Sequence, residues 1–442
     1  MCHFFLAYIR LLKRFNRKLI CPLDEGFLSK HSYLCCMKFK DYSLIDEIKD
    51  QLDILGFKRP TDIQHRAIKP ILDGEDVMAV AQTGTGKTAA FVIPMLHKFA
   101  TKKRGSYKGI RGLVLVPTRE LAKQISEVVV QIGAKTPVSV LGLYGGVEQE
   151  KQIAKLNSGL DVLVSTPGRM FDLIAQGFID ISKLEILVLD EADLMLDLGF
   201  TKDIHDVLKK IPKNRQTLFF TATISKKIKS LAYDVVKDAI RIQVSPKNPV
   251  SKNVTHAVAF IEMDDKRFFL ENMIKEYPEF KFLVFVRTKV RAERVVSAME
   301  RVGVKAEALH GGKEQEDRFA ILDRFRSTEN QVLITTDVAC RGIDIPNMDY
   351  VINYDLPDSP ENYVHRCGRT GRGQQTGQAL SFCSEEEITF LVAIEAYTGE
   401  EILRYDIDNK DYMSIIEDTE DLNYNWKKLI EENSDPNEWK DS

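Results

Sequence analysis

Residues 77–99 read VMAVAQTGTGKTAAFVIPMLHKF: a five-residue apolar run, a turn with glycines at 84 and 86, then a longer helix-favouring run. An apolar run of that length, closed by turn residues, reads as a strand buried on both faces, and the longer run reads as a helix. Between them Thr83, Gly84, Thr85 and Gly86 make a turn whose backbone N–H groups can face an anion resting on the helix N-terminus. Lys87 can reach the outer phosphates of such an anion, and the Thr88 hydroxyl can ligand Mg²⁺. Ala81 stands where the general phosphate-loop pattern has glycine. A plain glycine-rich turn would not require the Gly-Lys-Thr ending.

Working outward, more apolar runs recur at helix-length intervals: GLVLV (112–116), DVLVS (161–165), EILVLD (185–190) and TLFFT (217–221). Strands apolar throughout and separated by helical segments indicate a parallel sheet covered on both faces. The segment SPKNPVSKN (245–253) reads as a linker. A second series follows in HAVAFIE (256–262), KFLVFV (281–286), QVLITT (331–336), YVINY (350–354) and QALSFC (378–383). The expected organisation is an α/β chain with a first domain over 37–244, a linker over 245–253, a second domain over 254–404 and a cleft between the two.

Residues 1–36 hold six basic side chains against two acidic ones and lack periodicity. They read as an extension outside the folded core, with translation starting instead at Met37, disorder or targeting all open. Residues 405–442 hold twelve acidic and four basic residues and are expected to be a loosely attached acidic tail. The 442 residues carry a net charge of −3, so any nucleic-acid contact must rest on local groups. No run reaches the roughly 18 apolar residues that span a bilayer. Seven cysteines without a C-x-x-C pair suit neither a disulfide framework nor a zinc site, and point to a reducing compartment.

A phosphate loop needs a carboxylate to hold the metal. The run EILVLD ends in Asp190-Glu191-Ala192-Asp193, which sets Asp190 at the carboxyl edge of the sheet and Glu191 beside it, where a base could orient an attacking water.

Phosphate loop plus D-E-A-D resembles the DEAD-box ATP-dependent RNA helicases, of the bacterial type with a minimal core, and the family's other motifs follow in order over roughly 39–384. That resemblance implies two tandem RecA-like domains, each a parallel sheet flanked by helices, with ATP and Mg²⁺ bound between them. GFKRPTDIQ (56–64) is similar to the Q motif, which implies Phe57 stacked on the adenine and Gln64 reading its edge; Thr61 and Gln64 also form a capping box. PTREL (117–121), Gly145-Gly146 and TPGR (166–169) imply RNA-backbone contacts through Thr118, Arg119, Gly145, Gly146, Thr166 and Arg169. TAT (221–223) stands in place of the usual S-A-T, implying a coupling role for Thr221 and Thr223 together with Asp193 and His365. In the second domain FVRT (285–288), HGGKEQEDR (310–318) and TTDVACRGID (335–344) imply Arg287, Gly311 and Thr335 on RNA and Asp344 on the ribose. HRCGRTGR (365–372) implies Arg369 and Arg372 as arginine fingers, the planar guanidinium being suited to charge on a transferring phosphoryl group.

Lys87, Thr88, Asp190 and Glu191 then belong to one domain and Arg369 and Arg372 to the other, so closure would complete the site. The expectation is an RNA-stimulated ATPase that melts short duplexes and remodels RNA–protein complexes, binding RNA independently of sequence. It is expected to act as a monomer in the cytoplasm. Two other readings stay open: an ATP-gated RNA clamp, which strand displacement would separate from a helicase, and a DNA translocase, which RNA against DNA stimulation would exclude.

Overall fold

In a computed structural model of the chain the described residues are 37–417, except 83, 103–108, 245–249, 251–252, 344, 346–347 and 372–375. The first sheet comprises β1 (Val77–Ala81), β2 (Gly112–Leu115), β3 (Val140–Leu143), β4 (Val162–Ser165), β5 (Ile186–Leu189), β6 (Gln216–Thr221) and β7 (Ile240–Val244). They lie in the order β3-β4-β2-β5-β6-β1-β7, with every neighbouring pair parallel. The second comprises β8 (Val254–Phe260), β9 (Phe282–Phe285), β10 (Glu307–Leu309), β11 (Val332–Thr335), β12 (Tyr350–Asn353), β13 (Gly377–Cys383) and β14 (Leu403–Tyr405). Its order is β10-β11-β9-β12-β13-β8-β14, again parallel throughout. Counted from the first strand of each half, the two orders are the same. The tandem α/β expectation therefore holds down to connectivity.

Each sheet is apolar on both faces because successive side chains point to opposite sides. Val77, Ala79 and Ala81 enter the core on one face of the first sheet, while Met78 and Val80 enter the core on the other. In β9, Phe282 and Val284 face one core and Leu283 and Phe285 the second.

The expected acidic tail needs correction. β14 pairs with β8, and the helix Asn409–Glu417 folds back on the second domain. There the Tyr412 hydroxyl donates to Asp265 Oδ2 at 2.8 Å and accepts from the Glu262 N–H at 3.0 Å, and its ring lies 4.9 Å from Phe269. The second domain thus runs to at least Glu417. Acidic composition hid an apolar set, Tyr405, Ile407, Tyr412 and Ile415, that packs on the core. Within the expected linker, Val250 is buried in the second core.

A short repeat underlies the twin topology. Residues 143–150, LYGGVEQE, follow from β3, and residues 309–316, LHGGKEQE, follow from the equivalent β10.

Candidate nucleotide and RNA cleft

The residues gathered at the carboxyl ends of β1, β5 and β6 form one buried charged cluster. Gly84 and Gly86 both adopt positive φ, 76° and 91°, a conformation that costs glycine nothing. A Cβ on Gly86 would stand 2.4 Å from Gln64 Nε2. Gln64 is buried and engages both ends of its amide: Oε1 accepts the Thr61 N–H at 2.9 Å, closing the helix cap, and Nε2 donates one of its two hydrogens to the Gly86 carbonyl at 3.1 Å. Capping and loop-fixing therefore coincide in the one side chain that the Q-motif resemblance places on adenine. Phe57 is half-buried, edge-on to Phe39 at 6.1 Å.

Lys87 opens the helix Lys87–Thr101; its Nζ donates to the Ala81 carbonyl at 3.0 Å and stands 3.1 Å from Glu191 Oε1. Burial pulls its ammonium down, but Glu191, Asp190 and Asp193 outweigh burial and hold it above the usual lysine value. The Thr85 hydroxyl donates to the Gln82 carbonyl at 2.7 Å, and Thr88 is half-exposed beside Lys87. Asp190, 2 % exposed, is pushed up to about 7 by burial and by Glu191. Glu191 sits in the left-handed region, φ 52° and ψ 50°, at the start of the helix Ala192–Asp197, a conformation that costs a non-glycine residue on the order of 1–3 kcal/mol.

Asp193 joins the domains. Its Oδ2 accepts the Thr223 N–H at 2.9 Å, the Thr223 hydroxyl at 3.0 Å and the Ala222 N–H at 3.2 Å, and His365 Nε2 of the second domain lies 4.0 Å away. Burial pushes the Asp193 carboxyl up, but His365, Lys87 and the Thr223 bonds together hold it below the usual range. Burial holds His365 below its own ordinary value despite Asp193. Thr221 is fully buried and donates to the Thr223 carbonyl at 2.9 Å, so the hydroxyl that it shares with serine keeps its partner.

Arg369 is 3 % exposed; Nη1 donates to the Ile343 carbonyl at 2.7 Å and Nε to the His365 carbonyl at 3.2 Å. Its Nη2 is buried without a hydrogen-bond partner. A buried guanidinium donor left unmatched costs about 1–3 kcal/mol unless an acceptor arrives, and a phosphate oxygen is such an acceptor. Arg366, three residues earlier, is saturated instead: it forks onto Asp337 at 2.6 and 2.7 Å and donates to Asn353 and the Asp355 carbonyl. Thr83, Asp344 and Arg372 lie outside the described residues.

Among the described residues no group of three or more His, Cys, Asp or Glu could hold a metal ion. The donor set of Thr88 and Asp190 fits Mg²⁺, which keeps waters and takes its remaining ligands from phosphates.

On the RNA side, Thr118 caps the helix Arg119–Ile132, accepting the Leu121 N–H at 3.3 Å. Arg119 Nη1 donates to Gln315 of the second domain at 3.3 Å, and Gln315 Nε2 donates to Glu120 Oε1 at 2.6 Å. Arg318 Nε stands 3.0 Å from the same carboxylate. A Cβ on Gly146 would lie 2.7 Å from Arg119 Nη1 and 2.8 Å from Gln315 Cβ, while one on Gly145 would have 3.4 Å to Arg119. Thr166 opens the helix Pro167–Ala175; Arg169 Nε donates to Gln152 Oε1 at 3.5 Å, and Gln152 in turn donates to the Tyr144 carbonyl. Gly311 is exposed, with open space where a Cβ would be.

Of two further expected RNA residues one is buried and the other is exposed but ion-paired. Thr335 is fully buried and donates to the Leu309 carbonyl at 3.0 Å; the next residue, Thr336, half-exposed at the start of the helix Asp337–Cys340, faces the surface. β11 is buried on both faces to its last residue, Thr335, so the first hydroxyl free of the core is the one just past the strand end. Arg287 ties the second domain together: Nη2 stands 2.6 Å from Glu387 Oε1, and Glu387 Oε2 also accepts the fully buried Lys266 Nζ at 2.5 Å. Sequence reading passed over Glu120, Lys123, Tyr144, Phe319 and Asp323, which line the domain contact. Phe319 lies edge-on to Tyr144 at 5.7 Å, with Lys123 Nζ 4.5 Å over its ring and 3.9 Å from Asp323.

Residues 61–231 match the family described as DEAD/DEAH box helicase, and residues 265–374 match the helicase conserved C-terminal domain. The chain is 39% identical over 372 residues to the ATP-dependent RNA helicase RhlB of Shewanella amazonensis, covering 83% of this chain and 84% of that protein. It is 39% identical over 393 residues to RhlB of Shewanella frigidimarina, covering 88% and 90%. Among solved structures, S. cerevisiae Dbp5 bound to RNA and ADP BeF3 superposes with a TM-score of 0.76 at 31% identity, covering 86% of this chain and 99% of that one. Mss116 bound to ssRNA and UDP-BeF gives a TM-score of 0.77 at 27% identity, covering 89% and 86%.

Proposed function

Because this chain belongs to the DEAD-box family of ATP-dependent RNA helicases, we propose that it hydrolyses ATP in response to RNA and uses closure and reopening of its two domains to melt short duplexes and remodel RNA–protein complexes. One observation carries the reading: His365 and the unmatched Nη2 of Arg369 come from the second domain, whereas Lys87, Asp190, Glu191 and Asp193 come from the first. Neither half is complete alone.

The chemistry follows from those groups. Gly84, Gly86 and Lys87 bind the phosphates; Thr88 and Asp190 hold Mg²⁺, which draws electron density from the phosphate oxygens when bound. Glu191, now paired with Lys87, is released as Lys87 turns to phosphate, and its carboxylate then accepts a proton from the attacking water. Arg369 donates to the oxygens of the transferring group, joined by Arg372 from the adjoining segment. Asp193 reports that state to Ala222 and Thr223 and, through His365, to the second domain. Backbone contacts from Thr118, Arg119, Gly146, Arg169 and Thr336 hold RNA without reading bases. RNA and ATP each favour the closed form, so by linkage each raises the affinity for the other.

No helix among the described residues is long and apolar enough to cross a membrane. Cys340, Cys367 and Cys383 are buried free thiols, in keeping with a reducing cytoplasm.

Replacing Arg369 with alanine should lower RNA-stimulated turnover about 10³-fold or more while leaving nucleotide binding within a few-fold. Undiminished turnover in that variant would sink the split-site reading. ATP-dependent strand displacement of a short RNA duplex separates a helicase from a clamp, and stimulation by RNA but not by DNA of the same sequence separates it from a DNA translocase.

A further inference from the structure

Lys87, Asp190, Glu191 and Asp193 follow the carboxyl ends of parallel strands, so residues that precede the strands gather at the opposite edge of the first sheet. There Lys98 and Lys102, at the end of the helix Lys87–Thr101, meet Lys183 and Glu185 ahead of β5 and Arg215 ahead of β6, around a cleft of about 450 Å³. Of the charged side chains lining it, four are cations and one is an acid. That acid is committed: Glu185 accepts from Lys102 Nζ at 2.8 Å and from Arg111 Nε at 2.8 Å. Behind it Arg111 Nη2 is buried without a hydrogen-bond partner, and so is Arg215 Nε in the wall of the cleft. Burial, with Lys102 and Arg111 close by, pulls the Lys98 ammonium below its usual range despite Glu185. Cations crowded in this way repel one another, and a bound anion relieves the repulsion.

We propose that this cleft is a second phosphate-binding site, which holds the sugar-phosphate backbone of an RNA strand outside the interdomain cleft. It rests on the reading of the chain as an RNA helicase. Three flexible lysine stems suit a mobile backbone better than a fixed small anion, for which a planar guanidinium fork is the usual solution. The chain as a whole carries −3, and residues 405–442 are strongly acidic, so neither bulk charge nor the C-terminal segment supplies this anchor. The site does not depend on Lys103, Arg104 and Lys108, which lie outside the described residues. A strand held here would tether a long RNA to the first domain without nucleotide, while the interdomain cleft opens and closes on another part of it.

The test compares the full chain with its K98Q/K102Q/K183Q variant, titrating a short oligouridylate and one several times longer without nucleotide, with tripolyphosphate as a competing ligand. The variant should bind the long RNA at least 10-fold more weakly at low salt, and its plot of log affinity against log salt should be shallower by about 2, the loss of three single-strand phosphate contacts. ATPase stimulation by the short RNA should be unchanged, which also shows that the variant is folded, and K98R/K102R/K183R should restore long-RNA affinity. Unchanged long-RNA affinity and salt slope would overturn the proposal; so would loss of tripolyphosphate binding with long-RNA affinity intact, which would assign the cleft to a free phosphate compound. Absence of any short-RNA response in the parent chain would instead count against the helicase reading, with long-RNA binding still deciding the second site.

Discussion

Asp190 is a residue whose charge the fold itself controls. Its carboxyl sits at about 7 rather than the ordinary value near 4, because burial and Glu191 disfavour the charge. The folded domain therefore keeps a proton that the unfolded chain has released, and this group's contribution to stability is present below about pH 4 and lost as pH rises through about 7. In the nucleotide-free protein the D190N variant, which cannot ionise there, should show an unfolding midpoint that falls less between pH 5 and 8 than the parent's, by about 2–4 °C for each kcal/mol involved. Parallel pH profiles for the two would show that the buried charge is matched by other means. At this scale the sequence was legible where chemistry is local. The loop and the strand end that the sequence marks bring Lys87 and Glu191 to 3.1 Å, whereas the burial of Thr335 and half-exposure of Thr336 depend on where β11 stops.

At the scale of elements, the contact between the helices Arg119–Ile132 and Gln315–Arg326 holds the domains together beside the proposed RNA site. Tyr144, Lys123 and Phe319 form an aromatic and cation–π cluster there, worth about 1–2 kcal/mol together. The F319A variant should therefore need roughly 5–30-fold more RNA for half-maximal ATPase stimulation, with turnover at saturating RNA preserved. A lowered maximal rate at an unchanged half-saturation point would show that Phe319 acts on chemistry and not on closure. No periodicity could have revealed this cluster, because its members come from different domains. The inner strands were legible for the opposite reason: β1, β2, β4, β5 and β6 are apolar on both faces. The edge strands β3, β7, β10 and β14 are short or half-exposed and leave no such mark.

For the whole molecule, the seventh strand of each sheet decides where a domain ends. β7 closes the first beside β1, and β14 closes the second beside β8. Truncation after residue 404 should remove β14's last residue and the half-buried Ile407, Tyr412 and Ile415, each worth on the order of 1 kcal/mol, and so destabilise the second domain by several kcal/mol. Truncation after residue 417 should leave its unfolding midpoint within a degree or two. Equal loss in both would mean that residues 418–442 carry the stability instead. Sequence reading placed this boundary at 404, short of Glu417, because it weighed acidic composition above four scattered apolar side chains.

The matched wiring of the halves makes Lys266 the positional counterpart of Lys87: each is the first residue of the helix that follows the first strand of its sheet. One faces a glycine turn; the other is locked by Glu387 and by the Tyr354 and Phe382 carbonyls, after a connection, residues 261–265, that contains no glycine. The matched wiring thus leaves one half with its lysine beside a glycine turn and the other with its ammonium already fully engaged by the protein. Calorimetric titration should return a stoichiometry of one nucleotide per polypeptide, and an observed value of two would refute that asymmetry.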